Sequence, residues 1–468
     1  MAKAKQAIPV KKGGQYIIQI VSLGHSGEGV GRYQDFTVFV PNALPGEQVV
    51  AEVTEVKQTY AKGRLVEVQN ASPDRIEAKC SIYHECGGCQ LQHLGYEAQL
   101  KAKRQQVVDA VTRIGKLEDI LIHPTIGAEN PWFYRNKMQV PVGLQAGQIV
   151  IGCYQQGTHS IINTEHCYIQ HDVNNNIARE MRRIMTELDI SPYNEKTGKG
   201  IVRHVLGRVG IQTGEVMVVI ITATEQLPQQ AQVISKLREA ISGLVSIVQN
   251  INAKKTNIIM GDKTVTLWGK NYIVDHLGEF KFEISARSFF QVNTTQAEVL
   301  YNKAVEYAGL SGRETVIDAY CGTGTITLFL ARHAAKVYGI EIVKPAILDA
   351  RRNAINNSVT NTEFIVGDAV AVMPDLFKQG VRPEVIVVDP PRAGCERMVL
   401  ETFANMKPAR IVYVSCNPAT LARDLAVLAE YGYKTCEIQP VDMFAQTSHV
   451  ECVAVIERKY PDLKKSRV

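Results

Sequence analysis

From Ser285 onward, short apolar runs alternate with helical segments: Thr315-Val316-Ile317-Asp318, Lys336-Val337-Tyr338-Gly339-Ile340, Phe364-Ile365-Val366, Val385-Ile386-Val387-Val388 and Arg410-Ile411-Val412-Tyr413-Val414. Runs this short and this continuously apolar suit strands covered on both faces, and the helical segments between them return the chain for parallel pairing. The expected architecture is α/β, a mostly parallel sheet with helices on both sides. Two further strands, near 435–439 and 450–457, would close one edge. Ligands in such sheets bind beyond the carboxyl ends of the strands, so the residue that ends each run is where chemistry is sought.

The first run ends in Asp318-Ala319-Tyr320-Cys321-Gly322-Thr323-Gly324-Thr325, where glycines let the backbone approach a ligand without a Cβ in the way. The second ends in Glu341, placed to accept the hydroxyls of a ribose. Asp368, just after the third, suits an adenine amino group. A dinucleotide site would carry a longer glycine fingerprint with a third glycine, which is missing. Polar groups at three successive strand ends favour a nucleoside-bearing cofactor without pyrophosphate, and S-adenosylmethionine fits.

The fourth run ends in Asp389-Pro390-Pro391-Arg392 and the fifth in Ser415-Cys416-Asn417-Pro418. Isolated cysteines are most often buried and inert. Here the polar neighbours and the strand-end position turn the preference toward a nucleophile. Carbon 5 of uracil is too poor a nucleophile to attack a sulfonium methyl; a thiolate added at carbon 6 converts the ring to an enolate and activates it. A base must then take the carbon 5 proton. Ser448-His449-Val450-Glu451-Cys452 offers Glu451 as first choice and His449 as reserve, a carboxylate needing a partly desolvated site for this task.

Ahead of this region, 15–68 shows alternating apolar and polar residues broken by glycines, the pattern of a small β-barrel. A helix is expected over 96–116, with Leu100, Val107, Val111 and Ile114 on its apolar face and Lys101, Lys103, Arg104 and Arg113 on or beside the other. Between 132 and 284 the pattern is mixed α/β, with strands at 216–221 and 258–260 and one helical stretch, 228–241. The units expected are thus a barrel at 9–68, a central α/β domain at 75–284 and a catalytic domain at 285–468, with the 96–116 helix packed on the last.

Three of the chain's 10 cysteines, Cys80, Cys86 and Cys89, are spaced five and two residues apart around Gly87-Gly88. With Cys167 or Cys153 as a fourth, they would suit a tetrahedral zinc or a four-iron cluster. In the barrel, Lys57, Tyr60, Lys62 and Arg64 combine charge with a ring, as do Trp132-Phe133-Tyr134-Arg135-Asn136-Lys137. A net charge of +5 is compatible with a nucleic-acid partner without requiring one. No apolar run approaches the roughly 20 residues a membrane span needs. The first 12 residues carry lysines without the apolar core of a secretory signal. The expectation is a cytoplasmic protein, a monomer, with no membrane partner.

Asp-Ala-Tyr-Cys-Gly-x-Gly, Asp-Pro-Pro-Arg, Ser-Cys-Asn-Pro-x-Thr-Leu-x-Arg-Asp and His-Val-Glu, in this order, resemble the RNA uracil-5-methyltransferase family, bacterial ribosomal-RNA branch. Ser288-Phe289-Phe290-Gln291-Val292-Asn293 matches that family's entry to the catalytic domain. The resemblance implies a Rossmann-like class I methyltransferase domain preceded by a barrel of the RNA-binding TRAM kind. It implies S-adenosylmethionine held by Gln291, Tyr320, Glu341 and Asp389, with Thr325 and Asp368 as lesser members. Cys416 is then the nucleophile, Glu451 the base, and Phe289 a ring to stack on the target base, unless it is simply a core residue. It also implies a [4Fe-4S] cluster on Cys80, Cys86, Cys89 and Cys167, with zinc as the alternative. The substrate implied is a uridine in 23S ribosomal RNA, because family members that act on transfer RNA generally lack the barrel and the four cysteines. Cytosine-5 methylation fits less well, since Arg392 stands where such enzymes carry a second cysteine. A non-catalytic RNA-binding assembly factor would have no need of Cys416 and Glu451.

Overall fold

A computed structural model of the chain describes residues 8–459, which leaves part of the lysine-bearing start and the last residues of the catalytic region outside it. Strands Gln15–Leu23, Gly29–Tyr33, Phe36–Val40, Gln48–Val56 and Tyr60–Asn70 close into a barrel. Side chains of a strand point alternately to its two faces, so Ile18, Ile20, Val38, Val40, Val49, Ala51 and Val53 fill the interior.

The central sheet has seven strands and is antiparallel except where Val216–Thr222 and Leu244–Ile251 run side by side. Helix Gln230–Ala240 makes that crossover. A second helix, Asp172–Glu187, has no counterpart in the sequence reading. Its first two turns hold Asn174, Asn175 and Asn176, which are weak helix formers. The helix forms nonetheless because Ile177, Met181, Ile184 and Met185 bury one face. The strand expected at 258–260 is instead irregular.

The last sheet runs in the order Thr362–Val366, Lys336–Glu341, Thr315–Ala319, Val385–Val388, Arg410–Ser415, Glu451–Arg458, Tyr433–Val441 and Leu121–Ile122. The first five are parallel, and Glu451–Arg458 is antiparallel to both its neighbours. After Thr315–Ala319 the chain moves first to one side and then to the other, which opens a crevice at the carboxyl ends of the parallel strands. Because Glu451–Arg458 runs the other way, its first residue lies at that same end. This reversal brings Glu451 to the crevice.

Two departures from the sequence reading concern the edge and the helix beside it. The edge strand is Leu121–Ile122, contributed by a segment almost 200 positions ahead of the sheet, rather than the pair at the C-terminus. Helix Tyr96–Ala110, extended by the π-helical turn Val111–Gly115, packs on helix Pro418–Glu430. Lys103 does not lie on the polar face: it is 1% exposed and ion-paired to Asp442, whereas Ile114 is 50% exposed.

Candidate active site

At the end of the strand Thr315–Ala319 the backbone turns sharply, with positive φ at Tyr320 (63°), Gly322 (55°) and Gly324 (80°). The tyrosine holds a conformation that glycine adopts at lower cost, a sign of a turn fixed by its surroundings. The turn is pinned to the next strand: Gly322 N–H donates to Glu341 Oε2 at 3.2 Å, and Val343 N–H to Glu341 Oε1 at 2.8 Å. Asn353 Nδ2 holds Thr323 O at 3.0 Å. Thr325 opens the helix that follows. Asp368 caps helix Ala369–Lys378, accepting from Val370 N–H at 2.9 Å, so one of its oxygens has a structural task.

Three acids cluster around this turn. Burial pushes Asp318 up to about 7, opposed by a 2.5 Å hydrogen bond from Thr327 Oγ1 and reinforced by the charges of Asp389 and Glu341. Its other oxygen is buried without a hydrogen-bond partner. Burial raises Asp389 to about 6 and Glu451 to about 8; Asp389 adds to the latter shift and Arg392 counters it. Among the described residues, no Lys or Arg forms an ion pair with Asp318 or Asp389. A pocket of buried carboxyls that form no ion pair with Lys or Arg, one with an orphaned oxygen, fits a ligand that brings its own positive charge.

Cys416 follows the strand Arg410–Ser415, and Asn417 caps the next helix through Ala419 N–H at 3.0 Å, with Pro418 in its first turn. Ser415 pairs with Cys452, so the register carried one step further sets Cys416 against Glu451. Burial raises the Cys416 thiol to about 11, with Glu451 and Asp389 adding to the shift and Arg392 lowering it. His449 lies in the same neighbourhood. Burial holds it near 4, helped by Arg392 and Lys103, so it is neutral near pH 7 and resists accepting a proton.

Gln291, ahead of helix Thr294–Ala308, hydrogen-bonds the hydroxyl of Tyr301 on that helix. Tyr301 is fully buried and feels the charges of Asp389, Glu451 and Asp318. It escaped the sequence reading because a tyrosine at helical spacing looks like core. Phe289 is 71% exposed, which removes the core alternative for it. Phe290, its neighbour, is the buried one, packed on Phe282.

The stretch from Asp442 to Ser448 that leads to Glu451 is held from every side. Lys103 Nζ and Tyr96 Oη reach Asp442, the latter at 2.7 Å. Gln296 Nε2 donates to Asp442 O at 3.0 Å and Asn293 Nδ2 to Met443 O at 3.0 Å. Tyr134 Oη donates to Ala445 O at 3.0 Å, and the amides of Gln90 and Leu91 both donate to Gln446 O at 3.0 Å.

Cys80, Cys86, Cys89, Cys153 and Cys167 line one cavity of about 740 Å³. Cys86 is lowered to about 6 by a hydrogen bond with Cys153, against the effect of burial. Cys89 is raised to about 12 by burial and by the nearby Cys167, Cys86 and Cys80. The thiols do not close around a point: among the described residues no three His, Cys, Asp or Glu side chains stand ready to hold a metal ion. The donor chemistry therefore fits a thiophilic metal group, while the side-chain arrangement does not yet form its cage.

The charges expected to form an RNA surface on the barrel are largely spent. Lys57 and Lys62 both reach Glu55, at 2.5 and 3.1 Å, and Arg64 reaches Glu52 at 2.6 Å. In the cysteine-lined cavity, by contrast, Lys137 is pushed down to about 8 by burial and by the like charges of Arg208 and Arg135.

Residues 95–459 match the family model for tRNA (uracil-5-)-methyltransferase, and residues 9–66 match the TRAM domain. The chain belongs to the RNA uracil-5-methyltransferase family. An uncharacterised RNA methyltransferase of Halalkalibacterium halodurans is 53% identical over 97% of this chain and 100% of its own length. One from Clostridium acetobutylicum is 50% identical over 97% of this chain and 99% of its own. Among solved structures, the tRNA (uracil-54, C5)-methyltransferase of Pyrococcus abyssi, in complex with S-adenosyl-L-homocysteine, superposes with a TM-score of 0.75 at 28% identity. That match covers 94% of this chain and 100% of the other. As a member of this family the chain is an RNA methyltransferase that uses S-adenosylmethionine. Among the described residues, no helix is long and apolar enough to cross a membrane.

Proposed function

We propose that the protein methylates carbon 5 of a uridine in 23S ribosomal RNA through a covalent adduct with Cys416. The observation that supports this reading most is the register that sets Cys416 against Glu451 beside the acid-lined crevice. Gln291, Tyr320, Glu341 and Asp389 line the cofactor site, with Thr325 and Asp368 at its margin. S-adenosylmethionine supplies the electrophilic methyl group.

The Cys416 thiol is protonated at neutral pH and gives its proton to solvent as the substrate binds, and Arg392 is the group that steadies the thiolate. The sulfur adds to carbon 6 and the electron pair moves onto the carbonyl at carbon 4, which makes carbon 5 nucleophilic. Once carbon 5 carries the methyl group, ionised Glu451 takes its proton. The electrons of that C–H bond re-form the ring double bond as the sulfur departs. Glu451 suits this task because its raised pKa makes it a stronger base than an exposed carboxylate. The target base must leave its stack to reach the sulfur, and exposed Phe289 is a ring on which it can rest.

The same reading assigns a [4Fe-4S] cluster, or zinc, to Cys80, Cys86, Cys89 and Cys167. Five thiols around one cavity support it. The group would brace the segment whose Gln90 and Leu91 amides hold Gln446, and no step of methyl transfer passes through it. Anaerobic purification with iron, sulfide and zinc analysis tests this: metal lost in Cys167→Ala and kept in Cys153→Ala supports the assignment. Metal-free wild-type protein overturns it.

A second substrate reading has a specific observation behind it. The Pyrococcus abyssi enzyme, named for transfer RNA, matches too much of this chain to leave out the barrel. The barrel therefore does not separate ribosomal from transfer RNA, contrary to the expectation drawn from sequence. Tritium release from carbon-5-labelled uridine decides between them. Release from 23S ribosomal RNA and not from transfer RNA supports the proposal; the reverse result replaces the substrate. Release that survives Cys416→Ala removes the mechanism.

A further inference from the structure

Four rings gather beside the cysteine-lined cavity. Phe133 and Tyr168 lie 6.2 Å apart, Trp132 and Tyr168 6.3 Å, His166 and Tyr168 4.6 Å, and His166 and Phe133 5.7 Å. The two segments that carry them are tied by backbone hydrogen bonds, Phe133 N–H to Tyr168 O at 2.8 Å and Arg135 N–H to Ile169 O at 2.9 Å. None of the four rings is fully buried. Phe133 stands at φ 55°, a left-handed conformation that a bulky residue keeps only when its surroundings impose it. Exposed Lys79 spans the cluster, its Nζ 4.7 Å from the Tyr168 ring, 5.2 Å from Trp132 and 5.5 Å from Phe133.

The cations here lack acidic counterparts. Among the described residues, no carboxylate stands within ion-pair distance of Lys79, Arg135 or Lys137, and Asp172 faces His166 at 3.8 Å. Arg135 and Lys137 line the cavity together with Tyr168. The place is also tied to the catalytic stretch, since Tyr134 Oη holds Ala445 O and the charge of Arg135 reaches His449.

Half-exposed rings beside unpaired cations are what a single strand of nucleic acid needs, one to stack its bases and the other to meet its phosphates. We infer that Trp132, Phe133 and Tyr168, with Lys79, form a stacking site for an unpaired nucleotide flanking the target uridine, whose phosphates Arg135 and Lys137 receive. Lys79 covers the rings in the free protein and swings toward a phosphate when a base takes its place. This inference rests on the RNA-methylating reading of the neighbouring crevice and adds a second point of contact outside it.

The chain has two tryptophans, Trp132 and Trp268. Trp268→Phe thus leaves Trp132 as the only indole. Fluorescein-labelled ribosomal RNA fragments, with the target uridine in a single-stranded stretch, would be titrated into this variant while anisotropy and indole emission are followed together. Stacking quenches the indole in step with binding; binding with unchanged emission overturns the site. In the second measurement, Lys79→Ala/Tyr168→Leu should raise KM about tenfold on RNA with both flanks, from the usual strength of base–ring stacking, with kcat within about twofold. On RNA whose flanking nucleotides are abasic on both sides of the target uridine, the same variant should match wild type. Equal losses on both RNAs would mean a merely structural role and would also overturn the proposal. Quenching by transfer RNA, with no methylation of ribosomal RNA, would sink the substrate choice and leave the stacking site standing.

Discussion

Two hollows on this molecule carry opposite charge. The crevice at the strand ends gathers Asp318, Asp389 and Glu451, each held above its ordinary pKa by burial. The cavity beside the cysteines gathers Arg135 and Lys137, with Arg208 behind them and Lys137 held below its ordinary value. Charges held away from water, with like charges nearby, raise the energy of the empty protein, so each hollow is stabilised by a ligand of opposite sign. The first suits a sulfonium and a proton in transit, the second a polyanion. On the proposed reading, the contrast teaches that one substrate is read in two places, its base in the acidic crevice and its phosphates over the basic one.

The largest effects belong to the acidic crevice. Cys416→Ala should abolish methyl transfer and leave no covalent complex on RNA containing 5-fluorouridine, whose fluorine cannot leave as a proton. Glu451→Gln should slow turnover by about 10²- to 10⁴-fold, the usual contribution of a positioned base, with the adduct accumulating on unmodified uridine. In wild type the proton-removal rate should rise with pH around a midpoint near 8, because only ionised Glu451 accepts the proton. The same shift sets a stability trend. A carboxyl with a raised folded pKa contributes stability that is full below its unfolded value of about 4.5 and lost as pH rises through about 8. Glu451→Gln, an uncharged mimic, should therefore melt above wild type at pH 9 and alongside it at pH 5. A variant that turns over normally, or that melts below wild type at pH 9, breaks the assignment of the acidic hollow.

An intermediate effect belongs to the basic hollow. Lys137→Gln should raise KM for RNA about tenfold, leave kcat unchanged and reduce the salt dependence of binding by about one counterion. A fall in kcat with KM unmoved would merge the two hollows into one functional unit and break the comparison.

The acidic hollow was much the more legible of the two in the sequence. Strand ends in a parallel sheet fall where the apolar runs stop, so Asp318, Glu341, Asp389 and Cys416 could be placed by counting. Glu451 needed one more fact, the antiparallel direction of its strand, which apolar patterning does not encode. Tyr301 and Lys103 stayed hidden because both sit on helices, one resembling core and the other surface. Only the fold shows that Lys103 closes on Asp442, 339 positions away. The basic hollow is assembled from Lys79, Trp132 to Lys137 and Tyr168, brought together by a parallel bridge between Arg135 and Gln170 that no local pattern announces. The cysteine spacing was readable, but spacing says nothing of side-chain direction, and Cys86 turns toward Cys153.

A smaller effect tests the sign of the acidic hollow without touching its residues. S-adenosylmethionine and S-adenosylhomocysteine share every group except the methyl and the sulfonium charge it creates. As pH rises from 6 to 9, Asp318, Asp389 and Glu451 ionise through about 7, 6 and 8, and the hollow becomes more negative. The affinity ratio of the charged to the neutral cofactor should grow about threefold to tenfold over that range by calorimetry, since each new charge favours the cation. A flat ratio would mean that the acids do not face the sulfur.

The smallest expected effect concerns the barrel, where Lys57 and Lys62 share Glu55 and Arg64 holds Glu52. An exposed pair already satisfied has little charge left to offer a phosphate, and breaking it costs little in stability. Lys62→Ala should therefore change RNA affinity by less than about twofold at moderate salt, against the tenfold expected at Lys137. Glu55→Gln is the sharper control, because it frees both lysines at once. If the barrel patch is silent only through neutralisation, this variant should tighten RNA binding and steepen its salt dependence. If Lys62→Ala alone weakens binding as much as Lys137→Gln does, RNA opens these pairs when it docks. The barrel would then belong with the basic hollow rather than stand apart from it.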